Sequence, residues 1–220
     1  MRALITLLVT LAFVAGCGSD HEAASSGDTT SATPITECAD VEAPAPRDAE
    51  TREAPSEPLD SSKTYTLTFD TTCGSFTVTL DQKLAPNTAA SLVALANDGF
   101  FDNTIFHRVV PGFVIQGGDP TQTGGGGPGY STVDRPPSDA KYTKGTVAMA
   151  KSQVEAPGTS GSQFFVVTDD AAAKVLTPDY AIVGQVTDGI DTVERIEALG
   201  SGDGPPTKPV VISSVTVTES

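Results

Sequence analysis

From Tyr65 onward, apolar and polar side chains alternate. Tyr65-Thr66-Leu67-Thr68-Phe69 and Phe76-Thr77-Val78-Thr79-Leu80 each put every second residue on one face, the period of a strand with one buried side. Thr71, Thr72, Cys73 and Gly74 separate the two runs and predict a hairpin. At residue 86 the period changes. Pro86-Asn87-Thr88 suits a first helical turn, Ala89, Leu92, Val93 and Ala96 recur at helical spacing, and Asn97-Asp98-Gly99 ends the helix. Short runs over 104–109, 113–116, 146–150, 163–168 and 181–186 read as further strands. A second helix is expected over 190–199, with Val193, Ile196 and Ala198 apolar, and a β-rich run over 210–218 closes the chain. About eight short strands and two helices, with Gly-rich connections and no internal repeat, predict a mainly β sandwich or closed barrel.

The residues upstream have no such pattern. Residues 18–60 hold eleven acidic side chains against Arg47 and Arg52, prolines at 34, 44, 46, 55 and 58, and only Ile35, Val41 and Leu59 as large apolar residues. Such a stretch buries too little surface to offset its ordering entropy, so a solvated, disordered tether is expected there. It also explains why only 38% of the 220 residues are hydrophobic: the tether dilutes a better-patterned domain. Of the formal charge of −15, the tether carries −9 and residues 61–220 carry −7, Arg2 making up the difference. That balance excludes a protein that grips nucleic acid through a basic surface.

The chain starts with Met1-Arg2, an apolar run from Ala3 to Ala15, and Gly16-Cys17. A short cationic start, a brief apolar run and a small-residue end describe an export signal rather than a membrane span. Val14-Ala15-Gly16-Cys17 resembles the bacterial lipobox, in which the cysteine is lipidated and becomes the first mature residue. The expected organisation is a lipoprotein signal peptide over 1–16, a lipid-anchored acidic, Pro-rich tether over 17–60 and one domain over 61–220. The membrane is then a partner through lipid on Cys17, and the domain is extracytoplasmic, held at the bacterial cell membrane or envelope. Two cysteines remain, Cys38 and Cys73. They are either a bridge or two free thiols; an even number in an exported chain points to the bridge.

The chemistry concentrates in residues 105–120. Arg108 sits in one apolar run and Gln116 in the next, with Pro111-Gly112 between them. Two antiparallel strands joined at that turn would set Arg108 and Gln116 side by side among Phe106, Phe113 and Ile115, apolar walls with a few placed polar groups. Residues 147–167 add Val-Ala-Met-Ala-Lys-Ser, a flexible Pro157–Gly161 loop, and Ser-Gln-Phe-Phe-Val-Val.

Phe106-His107-Arg108-Val109-Val110-Pro111-Gly112-Phe113-Val114-Ile115-Gln116-Gly117-Gly118-Asp119 resembles the signature of cyclophilin-type peptidyl-prolyl isomerases, and Gly161-Ser162-Gln163-Phe164-Phe165 resembles a second motif of that family. The resemblance spans about residues 63–218. It implies a closed eight-stranded antiparallel barrel capped by two α-helices, and isomerisation of X–Pro bonds in polypeptides without metal or other cofactor. Together with the export signal, the expected partners are proline-containing polypeptides outside the cytoplasm, and a monomer is expected. By the same resemblance Arg108 is the catalytic arginine, and Gln116 holds it and contacts substrate. Phe113, Val114, Phe165 and Leu176 form the proline pocket, with Val114 in place of the more usual methionine. Ala150 contacts the residue before proline, Gln163 binds the peptide, and Tyr180 stands where many members have histidine. Two departures stand out. Lys151 replaces a common asparagine, and the chain has no tryptophan, so the tryptophan that contacts cyclosporin in sensitive members is missing and weak cyclosporin binding is expected. A rival reading is a non-catalytic proline-peptide binding or chaperone module on the envelope, but intact Arg108, Phe113, Gln116 and Phe165 favour the enzyme.

Other residues invite plainer readings. His107 is expected to pack rather than react, Phe164 to point into the core opposite Phe165, Gly124–Gly127 to form a flexible rim loop, and Asp169-Asp170 to be a solvated turn.

Overall fold

The alternating runs become β1 (Tyr65–Thr71) and β2 (Gly74–Leu80), paired antiparallel as the predicted hairpin. The computed structural model describes residues 37–49 and 51–220. The export signal and, of the tether, residues 17–36 with the lipidation candidate Cys17, and residue 50, lie outside the described residues. After β2 come α1 (Pro86–Asn97), β3 (Thr104–Ile105), β4 (Arg108–Val110), β5 (Val114–Gly117), β6 (Thr132–Val133), β7 (Thr146–Met149), β8 (Thr159–Ser160) and β9 (Phe164–Val167). A 3₁₀ turn over Asp170–Lys174 precedes β10 (Ile182–Asp188), α2 (Ile190–Glu197) and β11 (Val211–Glu219).

Among the described residues, nine strands form one antiparallel sheet in the order β3-β11-β1-β2-β10-β7-β9-β5-β4, and β6 pairs with β8 in a small second sheet. The expected count was eight and the expected ring closed. The difference lies at one seam. β3 and β4 stand at opposite ends of the sheet order, yet only Phe106 and His107 separate them in the chain. The sheet therefore curls until its ends meet in one strand broken in two. No ladder between β3 and β4 closes the ring among the described residues; chain continuity through Phe106 and His107 joins its ends, and Val109 bridges instead to Gly204.

Period-two alternation sorts side chains between two apolar clusters. Leu67, Phe69, Phe76, Val78, Phe106, Ile115, Val147, Met149 and Phe164 fill the inside of the curl. Phe69 stacks on Phe76 at 4.9 Å between ring centres, and Phe164 packs at 5.0 Å from Phe69 and 6.0 Å from Phe106. Val114, Ala148, Phe165 and Val167, one residue out of phase, join Tyr142 and Ala172 on the other face. Phe164 thus lies in the core, as its alternation with Phe165 predicts.

α1 starts at Pro86 without a side-chain cap of its own. Its exposed amides are instead satisfied by Asp134, far along the chain. The buried Asp134 carboxylate accepts from the Thr88 amide at 2.6 Å, the Thr88 hydroxyl at 2.7 Å and the Asn87 side chain at 2.9 Å. Negative charge at a helix N-terminus is favourable. Two segments read as loops carry structure. Thr159–Ser160 pairs with Thr132–Val133, and Asp169 caps the 3₁₀ turn by accepting from the Ala171 amide.

The tether reading needs correction where the structure describes it. Residues 37–49 and 51–60 lie against the domain as a strap. The Ala39 amide donates to Thr72 O at 2.7 Å, the Arg47 amide to Pro120 O at 2.9 Å, and the Arg52 amide to Pro128 O at 2.7 Å. The guanidinium groups of Arg47 and Arg52 lie 5.6 and 5.7 Å from the centre of the Phe100 ring, and Arg47 also donates to Phe100 O. Leu59 packs on the main core. The reason is physical: backbone hydrogen bonds and cation–π contacts need few large apolar residues, so a segment poor in them can still be held.

Cys38 and Cys73 are bridged, across 35 positions of sequence, and fix the start of the strap to the β1–β2 turn. A loop of that size removes roughly 3–4 kcal/mol of unfolded-state entropy. Replacing both cysteines by alanine is therefore expected to lower Tm by about 10 °C, read by thermal melting beside the parent. A shift of less than a few degrees would show that the strap contacts alone hold this end.

Candidate active site

The face that carries the second apolar cluster is where the sequence-predicted residues meet. β4 and β5 pair with Arg108 opposite Gln116, β5 and β9 with Gln116 opposite Phe165, and β7 and β9 with Ala148 opposite Phe165. The turn between β4 and β5 is Pro111-Gly112, with Gly112 at φ +70°, a conformation that favours glycine. Because strand side chains alternate, Arg108, Val114, Gln116 and Phe165 all emerge on one face.

They line a pocket of about 180 Å³ together with Phe113, Ala150, Lys151, Leu176 and Tyr180. Its apolar walls are Phe113, Val114, Phe165 and Leu176; Arg108 and Gln116 stand at its polar side. The remaining predicted residue, Gln163, lines an adjoining pocket of about 500 Å³ that shares Gln116, Ala150 and Lys151 with the first. All nine residues singled out for substrate are thus brought to one continuous groove.

The polar groups form a relay. Arg108 Nη1 donates to Gln116 Oε1 at 3.2 Å, Gln116 Nε2 donates to Gln163 Oε1 at 3.1 Å, and Gln163 Nε2 donates to Gly126 O at 3.0 Å. The relay ends on a loop that Asp119 organises. The buried Asp119 carboxylate accepts from the amides of Thr121, Gly124 and Gly126 at 2.7, 2.6 and 3.2 Å, and from the Thr121 hydroxyl at 2.8 Å. Burial pushes its pKa up, but these hydrogen bonds outweigh burial and hold it below the ordinary value. A Cβ on Gly126 would collide with Asp119 and with Thr121, so the loop needs glycine there. The Gly124–Gly127 rim is therefore tied down at its base rather than free.

Three contributors escaped the sequence reading. Asp203 grips Arg108 with both oxygens, at 2.6 Å from Nε and 3.0 Å from Nη2. The guanidinium holds the Asp203 carboxyl below its usual range. Of the five N–H groups of an arginine, this leaves one on each terminal nitrogen. Asp203 is the one acid of the Gly200–Gly204 turn, a signal too weak to find without the fold. Tyr142 is fully buried; its hydroxyl donates to Tyr180 O at 2.7 Å and accepts from the Tyr180 amide at 3.1 Å, and burial pushes its pKa up to about 12. It fixes Tyr180, whose ring meets Phe165 edge-on at 5.5 Å. Lys151, noted only as a departure, has a side chain just 4% exposed. Its ammonium donates to Ser152 O and Glu155 O at 3.2 Å, lies 3.7 Å from Asp179 and sits 5.6 Å from the centre of the Tyr180 ring. It clasps the 152–155 rim to the pocket wall.

His107 does not reach the pocket. Its ring nitrogens are buried without hydrogen-bond partners, and burial is the main reason its pKa lies below the ordinary value. Among the described residues, no group of three His, Cys, Asp or Glu side chains is placed to hold a metal ion, and no helix is long and apolar enough to cross a membrane.

The Asp203 contact is exposed to water, so its effect should be modest. Asp203→Asn is expected to lower kcat for a proline peptide by about two- to fivefold, with KM nearly unchanged, as a group that orients Arg108 should. An equal loss in KM, or no loss in kcat, would remove Asp203 from that role.

The geometry can now be set beside known proteins. Residues 66–217 match the family model for cyclophilin type peptidyl-prolyl cis-trans isomerase. The probable peptidyl-prolyl cis-trans isomerase A of Mycobacterium leprae is 37% identical over 172 residues, covering 69% of this chain and 91% of that protein. The peptidyl-prolyl cis-trans isomerase-like 1 of Emericella nidulans is 42% identical over 134 residues, 59% of this chain and 80% of that one. A crystal structure of a Cryptosporidium parvum cyclophilin type isomerase aligns with a TM-score of 0.64 at 31% identity, covering 70% of this chain and 98% of that one. Another structure of that parasite protein was determined in the presence of the dipeptide Ala-Pro.

Proposed function

Because this chain belongs to the cyclophilin-type peptidyl-prolyl cis-trans isomerase family and is such an isomerase, we propose that it works outside the cytoplasm, on exported polypeptides, and that Arg108 stabilises the twisted amide. The observation that carries the mechanism is an arginine fixed at the edge of an apolar pocket, with free N–H groups left over.

The reaction needs no covalent step. Resonance makes the peptide bond planar, with a barrier of about 18–20 kcal/mol, so an X–Pro bond turns over tens to hundreds of seconds. Twisting the bond breaks that resonance and localises a lone pair on the prolyl nitrogen. Phe113, Val114, Phe165 and Leu176 grip the ring and exclude water. Arg108, already oriented by Asp203 and Gln116, donates hydrogen bonds that strengthen as the lone pair forms. Interactions stronger in the transition state than in the ground state are those that accelerate a reaction. Gln163 and Ala150 hold the peptide preceding the proline; the Ala150 amide is itself tied to Gln163 O at 2.9 Å.

The exported location rests on the apolar start of the chain, the lipobox-like Val14–Cys17 and the Cys38–Cys73 pair, a bridge suited to an oxidising compartment. Two measurements test it. Added to an exported protein whose refolding waits on a prolyl bond, the full chain should accelerate the slow phase; an unchanged slow phase counts against the role. In bacteria fed labelled palmitate, the parent should carry label and fractionate with membranes, and Cys17→Ala should do neither.

A further inference from the structure

The strap does more than lie on the domain: it reaches the peptide groove. Over residues 44–49 and 51–52 it runs along the same loop that closes the polar relay. Gln122 Nε2 donates to Pro44 O at 2.9 Å, and the amides of Arg47 and Arg52 bond to Pro120 and Pro128. Beyond the pocket that holds Gln163 lies a further groove of about 500 Å³, with Ala49 and Thr51 of the strap on its wall. The two cavities share Gly125, Gly126, Glu155 and Gly161, so they are successive parts of one channel. Its entry from the proline pocket is through Gln116 and Ala150.

We propose that the strap adds a binding site for the stretch of substrate several residues ahead of the proline, with a preference for a basic side chain where that stretch passes Glu155. This rests on the isomerase reading, in which Ala150 meets the residue before proline. Three observations carry it. The channel is continuous from the proline pocket to the strap. Its lining is rich in glycine, at 125, 126, 127, 129 and 161, so an extended backbone can approach closely. Its junction carries an acid: Glu155 lines both cavities with its side chain exposed, and hydrogen bonds from Ser152 hold its carboxyl below the ordinary range. Among the described residues, the one cation on the wall of the cavity that holds Gln163 is Lys151; its side chain is only 4% exposed, and its ammonium is engaged by the carbonyls of Ser152 and Glu155, by Asp179 and by the Tyr180 ring.

The test is titration of the full chain with proline peptides lengthened one residue at a time ahead of the proline, each ending in Lys or Glu. Affinity should rise once the peptide reaches the strap, and the Lys series should exceed the Glu series by about two- to fivefold. Ala49→Trp and Thr51→Trp, which fill the groove from exposed positions, should abolish the gain from length, and Glu155→Gln should abolish the preference for Lys. A gain absent from the parent, one that survives both tryptophans, or Glu bound as tightly as Lys overturns the proposal. Turnover of the shortest peptide, measured on the parent, reports separately on the isomerase reading: its absence sinks that reading while the titration still decides the strap.

Discussion

Arg108→Ala is expected to lower kcat/KM for an X–Pro peptide by about 10²–10³-fold, the range seen when a preorganised donor to developing charge is removed. The size follows from how the side chain is held. Asp203 takes Nε and Nη2 and Gln116 takes Nη1, so the guanidinium is aimed before substrate arrives and spends no reorganisation in the reaction. Nothing else among the pocket residues supplies a fork of donors. Arg108→Lys should lose nearly as much, because a single ammonium cannot engage Asp203 and Gln116 in one plane. Stability should hardly change, since the ion pair is with an Asp203 side chain that is 66% exposed. A peptide isomerisation assay with a parallel thermal melt reads both effects.

Phe164→Ala is expected to cost about 3–5 kcal/mol of stability, the range for truncating a buried aromatic. Phe164 is 1% exposed and packs on Phe69, Phe101 and Phe106 from three directions, so the surrounding rings cannot all move into the hole. At about 2–4 °C per kcal/mol, Tm should fall by roughly 10–15 °C. The neighbouring substitution makes the contrast. Phe165→Ala opens the floor of the proline pocket, so it should raise KM for short proline peptides well beyond any change that Phe164→Ala produces in folded protein. Denaturant unfolding measures the first and steady-state kinetics the second. Equal kinetic effects from both would mean that the alternation of faces does not govern this strand.

That alternation is also what made much of the molecule legible. Tyr65–Phe69 and Phe76–Leu80 read correctly because one face of each strand is buried and the other is not, whereas β9, buried on both faces, read as a short apolar run. Pro86 and the helical spacing of Leu92, Val93 and Ala96 located α1, although the helix is buried nearly all round from Thr88 to Ala96. The groove residues were legible because the two motifs lie on β4, β5 and β9, whose register places them together. What stayed hidden depends on distant partners. Asp134 caps α1 from far along the chain, Asp203 reaches Arg108 from the other end of the fold, and Tyr142 is buried by what packs on it rather than by any local pattern. The strap was hidden for another reason. Its hold comes largely from amides of Ala39, Arg47 and Arg52, from Cys38, and from two arginines over Phe100, none of which is a large apolar side chain. The broken strand at Phe106–His107 likewise leaves no mark, because residues 104–109 read as one short strand-like run with no turn residue at the break.

Catalysis by differential binding, rather than simple capture of proline, is tested most directly by cis–trans exchange of a proline peptide bound to the full chain, followed by exchange NMR at saturating peptide in the parent and in Arg108→Lys. The parent should exchange rapidly, and the variant should slow by at least about tenfold while Kd changes by less than about threefold. Exchange that is unchanged in the variant, or a loss matched step for step by lost affinity, would contradict it.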